Sequence, residues 1–595
     1  MDPQLSALAE ARGVATWYEN ADRQRVTVAE EVVRAVLDEM GPPVPSSTRV
    51  VTEGPDTPPL GYHQLDDGTE LIVTPRRLPT VDPAWGWMLQ LYALHSPGSW
   101  GIGDFADLRE FTRASGAGVV LVNPVQAITP ALPVRRSPYS PSSRRFANPI
   151  YLRITETDEF RRADQQTREH VLRLAPERAE LIDYDAVWTA KLAALELLWP
   201  GAPEPMSDEL RDFATFCALA ERHGGDWRDW PADLRRPDGA AVARAREELA
   251  GRVAFHAWLQ RLCETQLGNV LASTDAKIVH DLPVGVDPAG ADAWALQDVL
   301  APNVRVGAPP DAFSQQGQDW NLPPWRPDRL AAAGYRPFRE VIRSVLRHAD
   351  GIRVDHIAGL FRLWWIPPNH PPNEGTYVYY DADAMLGILA LEAHLAGAMV
   401  VGEDLGTVPE EVTDAMHARG VLSSSVLYFE RDWDDETADP PPLLAPKDWP
   451  VDAMASISTH DLPTTAGFLR GENVRVRAEL GLIDDVDGER ARAEEARTEM
   501  LAALSEHGLL PADPSEPDLV VALHRLLGTA ASRLLLTSPQ DALGDPRQPN
   551  LPGTVDEYPN WRIPLPLGVT ELLADTRVQA AVAALRDARS NGVSP

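Results

Sequence analysis

From about Trp85 onward the chain repeats one pattern: a short β-branched or aliphatic run ends in a polar or acidic residue, and a helical stretch follows. The runs fall at 88–93, 118–124, 277–286, 351–356, 399–404, 425–430, 453–460 and 533–537. Runs this apolar are buried on both faces, as strands are in a parallel sheet covered by helices. Eight of them predict a closed barrel whose functional groups gather at the C-terminal strand ends. About 150 residues separate the second run from the third, too many for one helix and two loops. That gap holds helical stretches at 183–198, 207–223 and 240–267, which predict an inserted subdomain over about 126–270. The fold class is therefore α/β: a (β/α)8 TIM barrel with a large, mostly helical insertion after the second strand and a short helical N-terminal appendage.

The first ~40 residues read as small helices. Thr27 and Glu30 have capping-box spacing, and Val28, Val32, Val33, Val36, Leu37 and Met40 recur on one helical face. Gly41-Pro42-Pro43 stops that helix. Residues 42–59 are rich in Pro, Ser and Thr, which predicts a linker or peripheral coil. The expected division is an appendage with its linker at 1–60 and the barrel domain at 61–595. An acidic, then Pro-rich stretch at 432–442 predicts a solvated loop.

Composition narrows the function classes. The 595 residues carry 88 acidic and 55 basic side chains, a formal charge of −33, which disfavours nucleic acid and anionic membrane surfaces as partners. No run of ~18 apolar residues occurs, and the first residues lack the apolar core of a signal peptide. Two cysteines, Cys217 and Cys263, provide neither a disulfide framework nor a thiolate metal site. A cytoplasmic protein is expected. The 17 Trp outnumber Tyr and Phe, 12 each, which fits either a large core or a site that stacks flat rings.

Three carboxylates stand where the predicted strands end. Arg353 and Asp355 are two apart and share one face of a strand, Glu403 closes another aliphatic run, and His460-Asp461 close a third. Three carboxylates in one barrel mouth suit retaining glycoside chemistry: one attacks the anomeric carbon, one protonates the leaving oxygen, and the third favours the oxocarbenium-like transition state. On this reading Arg353 holds Asp355 ionised, and burial or nearby anionic charge keeps the acid protonated. Taken singly, each carboxylate also fits a solvated strand end, Arg353 with Asp355 a structural ion pair, and His460 a core histidine.

Longer motifs surround these residues. They are Ser99-Trp-Gly-Ile-Gly-Asp-Phe105, Ser137-Pro-Tyr-Ser-Pro-Ser-Ser143, Asp281-Leu-Pro-Val284, Gly307-Ala-Pro-Pro-Asp-Ala-Phe-Ser314 and Gly317-Gln318 with Trp320. Then follow Arg353-Val-Asp-His356 running into Gly359-Leu-Phe-Arg362, Gly402-Glu-Asp-Leu-Gly406, Thr459-His-Asp461 and Asn550-Leu-Pro-Gly-Thr554. In content and order this set resembles the 4-α-glucanotransferases (amylomaltases, disproportionating enzymes) of glycoside hydrolase family 77. The resemblance implies Asp355 as nucleophile, Glu403 as general acid/base and Asp461 as the third carboxylate. It implies Arg353, His460, Asp281, Tyr139, His356 and Asn550 as substrate-binding residues. Asp311 and Phe313 would touch sugar from a loop over the cleft, and Trp320 would stack on a glucose face. Trp320, Trp364 and Trp365 are expected as hydrophobic walls that exclude water.

The implied substrates are maltooligosaccharides and α-1,4-glucans, with glucose or an oligosaccharide as acceptor, and the protein is expected to be a monomer or homodimer. No cofactor and no metal are implied. Three departures concern sugar contacts. Asp319-Trp-Asn-Leu-Pro-Pro-Trp325 replaces the family's usual Trp-Gly-Asn-Pro, Ala312 replaces a common Tyr, and Ser140 replaces a common Gln. The first motivates a third reading beside transfer and plain α-glucan hydrolysis, a transferase adapted to an unusual acceptor. A glucan-binding protein without catalysis is opposed by the three carboxylates.

Overall fold

A computed structural model describes the chain except for residues 21–23, 203–204, 311–315, 407, 433–439 and 593–595, and the side chains of 590–592. Eight parallel strands form its centre: β1 (Ala84–Leu89), β2 (Val119–Val122), β3 (Lys277–Leu282), β4 (Gly351–Val354), β5 (Met399–Gly402), β6 (Ser423–Val426), β7 (Ala453–Ser456) and β8 (Leu534–Thr537). Their spatial order is β5-β4-β3-β2-β1-β8-β7-β6. A parallel bridge between Val401 and Leu422 joins β5 to the start of β6, with Gly402 N donating to Leu422 O at 2.7 Å. The sheet is thereby a closed ring, as the eight runs predict.

Strand ends differ from expectation in one direction. The polar tails after Val122, Leu282, Val354, Gly402 and Ser456 leave the ladder and begin loops. Those tails turn into the barrel mouth after at most one further bond to a neighbouring strand, as from Asp355 N to Leu282 O and from Glu403 N to Val354 O. Two strands are shifted rather than shortened: the first runs Ala84–Leu89, with Trp85 and Trp87 as strand residues and a 3-10 turn at Leu91–Ala93 where strand was expected, and the sixth runs Ser423–Val426 against the expected 425–430. The covering helices follow from their sequence. Phe105–Ser115 starts on a capping box between Asp104 and Asp107 and stops at left-handed Gly116. Arg336–Leu346 buries Phe338, Val341, Ile342, Val345 and Leu346 along one stripe.

The insertion between β2 and β3 contains a small hairpin, Gln126–Ala127 with Ser143–Ala147, and then helices. Tyr184–Leu198 and Asp208–His223 match two predicted helices. The third divides into Ala240–Glu248 and Ala250–Leu271, and the latter lies against Phe105–Ser115 as part of the barrel's helical layer. A four-stranded antiparallel sheet, in the order Gln318–Leu322, Arg305–Ala308, Arg362–Ile366 and Thr376–Tyr379, is built from the segments after β3 and β4. Gly307 sits at its register shift, where a Cβ would lie 1.9 Å from Gln318 O.

The N-terminal segment holds helices Pro3–Ala11 and Glu30–Met40, and the latter buries Val32, Val33, Val36, Leu37 and Met40. The expected capping box is absent. Thr27 ends a strand, Arg25–Thr27, paired with Trp17–Glu19, and the helix cap is Ala29 without a side-chain bond. The appendage docks on the main domain: Ala15 N donates to Tyr377 O, and Arg12 lies beside Asp328.

Residues 42–59 are not all coil. Thr48–Thr52 is a strand beside Glu70–Thr74, which also pairs with Gly61–Gln64, so this sheet runs across residue 60. It covers helix Ala382–Ala396, whose buried residues run unbroken from Ala384 to Ala393 and demand packing on every side. Cys217 and Cys263 are free and buried. Among the described residues no helix is long and apolar enough to cross a membrane.

Candidate active site

The barrel's alternation sets the inner layer of the mouth. Asp281 near the end of β3 is in register with Arg353 on β4, and Arg353 with Val401 on β5. Ile352 and His280, one position earlier, point to the opposite face. Asp355 comes directly after β4, Glu403 directly after β5, and His460-Asp461 shortly after β7. Tyr139 comes from the insertion, between Gln126–Ala127 and Ser143–Ala147.

Arg353 is the hub. Its Nη1 donates to Asp281 Oδ1 and Oδ2 at 2.7 and 2.9 Å and to Asp355 Oδ1 at 3.1 Å. Tyr139 Oη donates to Asp281 Oδ2 at 2.7 Å and lies 3.3 Å from His460 Nδ1. His460 Nε2 meets Asp461 Oδ2 at 3.2 Å, and Asn550 Nδ2 donates to Asp461 Oδ1 at 2.6 Å. One connected network therefore reaches from Asp355 through Arg353, Asp281, Tyr139 and His460 to Asp461 and Asn550. Beneath it a pocket of about 690 Å³, counted out to its opening, descends past Ser424, Ser425 and Ser456.

Glu403 is held separately by main chain. His356 N donates to its Oε2 and Leu405 N to its Oε1, each at 2.9 Å. His356 adopts a left-handed φ of 47°, a strained conformation for a non-glycine residue, and it turns the chain immediately after Asp355. The nucleophile candidate and the anchor of the acid/base candidate are thus consecutive residues.

Electrostatics differ among the three carboxyls. Burial raises Asp355 to about 7; Arg353 opposes this, while the charges of Asp281 and Glu403 reinforce it. Arg353, expected to hold Asp355 ionised, does favour its charged form, but it is shared with Asp281 and burial works against it. Burial also raises Glu403, against Arg353 and the two N–H donors. Asp461 goes the other way: burial pushes it up, but His460 and Asn550 hold it below the usual range. Burial pulls His460 down, but Asp461 wins and raises it. Two carboxyls inclined to share a proton beside one that stays ionised is the charge pattern of retaining glycoside chemistry.

The family model described as 4-alpha-glucanotransferase matches residues 89–570. The chain belongs to this family. It is 46% identical over 628 residues to the 4-alpha-glucanotransferase of Mycobacterium tuberculosis, covering 96% of this chain and 86% of that protein. The 4-alpha-glucanotransferase of Haemophilus influenzae is 32% identical over 573 residues, 84% of this chain and 80% of that one. The crystal structure of amylomaltase from Corynebacterium glutamicum superposes with a TM-score of 0.85 at 33% identity, over 98% of this chain and 99% of that chain.

Of the site residues expected for a 4-α-glucanotransferase, Asp355, Glu403, Asp461, Arg353, His460, Asp281, Tyr139, His356 and Asn550 meet in this mouth. Asp311 and Phe313, with Ala312 between them, lie outside the described residues. Trp320 is half-buried on the strand Gln318–Leu322, edge-on to His356 at 5.2 Å. The first part of its departing motif, Asp319 to Leu322, is thus a strand of the overlying sheet. Trp364 and Trp365 are fully buried, 1% and 0% exposed, so they are core and not walls of a sugar site. Their spacing beside Arg362 carries no signal that separates core from cleft.

Trp561 escaped sequence reasoning. Its ring lies 5.4 Å from Tyr139 and 5.5 Å from His460, which themselves stack at 4.6 Å. It adopts φ 62°, and nothing at the end of the last motif points to it.

Asn550→Ala removes the bond at 2.6 Å to an ionised Asp461. A hydrogen bond to a charged group contributes about 1.5–3 kcal/mol, so kcat/KM on maltotriose is expected to fall roughly 10- to 100-fold. Steady-state kinetics check this, and a change below threefold would remove Asn550 from the machinery.

Proposed function

We propose that this 4-α-glucanotransferase works by double displacement, with Asp355 as nucleophile and Glu403 as acid/base. Glu403 gives its proton to the scissile α-1,4 oxygen as Asp355 attacks C1, and the leaving glucan takes that proton away. The 4-OH of an incoming sugar then gives its proton to Glu403 and attacks C1 from the face the first glucan left, so configuration is retained. Asp461, ionised through His460 and Asn550, stabilises the oxocarbenium-like charge and accepts hydrogen bonds from ring hydroxyls. Tyr139 and Asp281 fix Arg353, which directs the pair's negative charge to Asp355.

The observation that carries this reading is the placement of Asp355 and Glu403. They end adjacent strands, Arg353 contacts the first directly, and the residue following the first anchors the second. Such a layout lets one proton belong to the pair while the charge stays on the nucleophile.

Incubation with maltotriose tests the reaction. A ladder of longer maltooligosaccharides together with glucose is expected, with the total of reducing ends constant. Shorter products alone, with reducing ends rising in step, would replace transfer by hydrolysis. The relatives named above are all transferases, and none of these comparisons favours the hydrolase.

A further inference from the structure

A second cleft, of about 450 Å³ counted out to solvent, opens on the outer face of the barrel beside β3. Its walls are β3, the strand Ser143–Ala147 and the helices Ala250–Leu271 and Arg336–Leu346. Residues alternate along β3, so Asp281 faces the sugar site and His280 faces this cleft. Four polar atoms in its wall have no hydrogen-bond partner among the described residues: Arg144 Nε, His280 Nε2, His348 Nε2 and Gln126 Oε1. Arg144, His280 and Gln126 are 7%, 3% and 7% exposed, so each of these atoms is withdrawn from bulk water. Unpaired buried donors of this kind are rare in folded proteins.

The charges around the cleft leave Arg144 without a carboxylate on its side chain. Arg145 takes Asp292 at 3.0 Å, and Glu264 at the entrance is taken by Arg347 at 2.7 Å. The Nη1 of Arg144 donates to backbone instead, to Val284 O at 2.7 Å and Pro283 O at 3.2 Å. Burial lowers this guanidinium to about 10 and lowers both His280 and His348, which leaves two neutral imidazoles beside Arg144, while Arg145 and Arg347 in the same wall are already paired with carboxylates. With His280 and His348 in their Nε2–H tautomers, the cleft offers three N–H donors beside the Arg144 charge, a set that suits a tetrahedral oxyanion. Gln126 Oε1 suits the remaining P–OH of a monoprotonated phosphate or the hydroxyl of an attached sugar.

We propose that this cleft binds a small phosphate-type oxyanion, free or carried by a sugar, which acts on the sugar site through β3. The path is short. Gln126 Nε2 lies 3.4 Å from Asp281 O, and Arg144 holds the two carbonyls that follow Leu282. An oxyanion drawing on Arg144 or Gln126 changes the hold on the strand end that carries Asp281, the partner of Arg353.

Calorimetric titration of the full chain with inorganic phosphate and, separately, glucose 1-phosphate tests the site. One saturable site is expected for at least one of them below about 10 mM, and the tighter ligand identifies the source. His348→Ala, at a partly exposed position, and Arg144→Met are each expected to weaken it at least tenfold. Retained affinity in a folded His348→Ala variant overturns the proposal, as does the absence of saturable heat from both ligands. So does a crystal soaked in phosphate that holds water alone in the cleft. Repeating the titration on Glu403→Gln filled with maltotriose separates the sites, because direct competition would put the anion in the sugar site. Transfer rates on maltotriose unaltered by saturating oxyanion would overturn the action through β3.

Discussion

Asp355→Asn is expected to lower kcat/KM on maltotriose by at least ~10⁴-fold, the largest effect of any single change in this protein. Asn fills the same volume, and its carbonyl oxygen can still accept from Arg353, whose bond to Asp355 is 3.1 Å. The buried cluster keeps Asp281 as a charge partner for Arg353 at 2.7 Å, so no uncompensated cation is created. Folding is therefore spared, and a thermal transition within a few degrees of the parent is expected. What disappears is the group proposed to attack C1. The charge also matters to its neighbour: Asp355 and Glu403 repel as anions, so removing one carboxylate lets the other ionise more readily, and the variant loses acid as well as nucleophile. Initial rates on maltotriose and mass spectrometry of a trapped glycosyl-enzyme peptide check this. A variant within tenfold of the parent, or a trapped sugar on another residue, would reassign the nucleophile.

How much of this was legible in the chain depends on whether a residue's environment is local. Most of the eight strands were, because runs such as Val119–Val122 are buried on both faces and carry no polar position, whereas the first and sixth overlap their predicted runs by only two residues. Asp355, Glu403 and Asp461 were legible for the same reason, as polar residues that end such runs. The sheet over helix Ala382–Ala396 was not, since the short strand Thr48–Thr52 sits in a Pro- and Ser-rich stretch and owes its existence to a helix more than 300 residues away. Thr27 has the right spacing to cap a helix but is taken by a hairpin. Tryptophans were the least legible. Trp320, Trp364 and Trp365 share a neighbourhood of motifs, yet strand alternation and the overlying sheet bury two and leave one half-open. Trp561 reaches Tyr139 and His460 across the barrel mouth, a contact set by tertiary structure alone. His280 is equally hidden: its neighbour Asp281 draws attention to one face of β3, and the other face becomes visible only with the helices in place.

Glu403→Gln is expected to slow maltotriose turnover by roughly 10³-fold or more, and its dependence on leaving group and pH distinguishes acid/base loss from simple damage. Damage of a limited kind is expected. The two main-chain donors, His356 N and Leu405 N, each meet a carboxylate oxygen at 2.9 Å, and the amide nitrogen of Gln can accept from neither. One N–H is left facing a donor, at about 1–3 kcal/mol, so Glu403→Ala is the companion variant that lacks this conflict. Maltosyl fluoride needs no proton to lose its leaving group, so both variants should form the glycosyl-enzyme from it at near-parental rates. The second half-reaction then waits for a base. Azide, an anion that needs no deprotonation, should restore turnover and yield α-maltosyl azide, with retention set by Asp355. The pH profile carries the sign. In the parent, falling pH protonates Asp355, which burial raises to about 7, and activity drops on the acid side. Rising pH strips the proton from Glu403, also raised by burial, and activity drops on the alkaline side. The two limbs belong to the coupled pair and enclose a bell. In either variant the alkaline limb should vanish while the acid limb persists near its parental position, because Glu403 is already protonated and uncharged over that limb. A bell unchanged in shape, or a fluoride donor processed as slowly as maltotriose, would take the acid/base role away from Glu403.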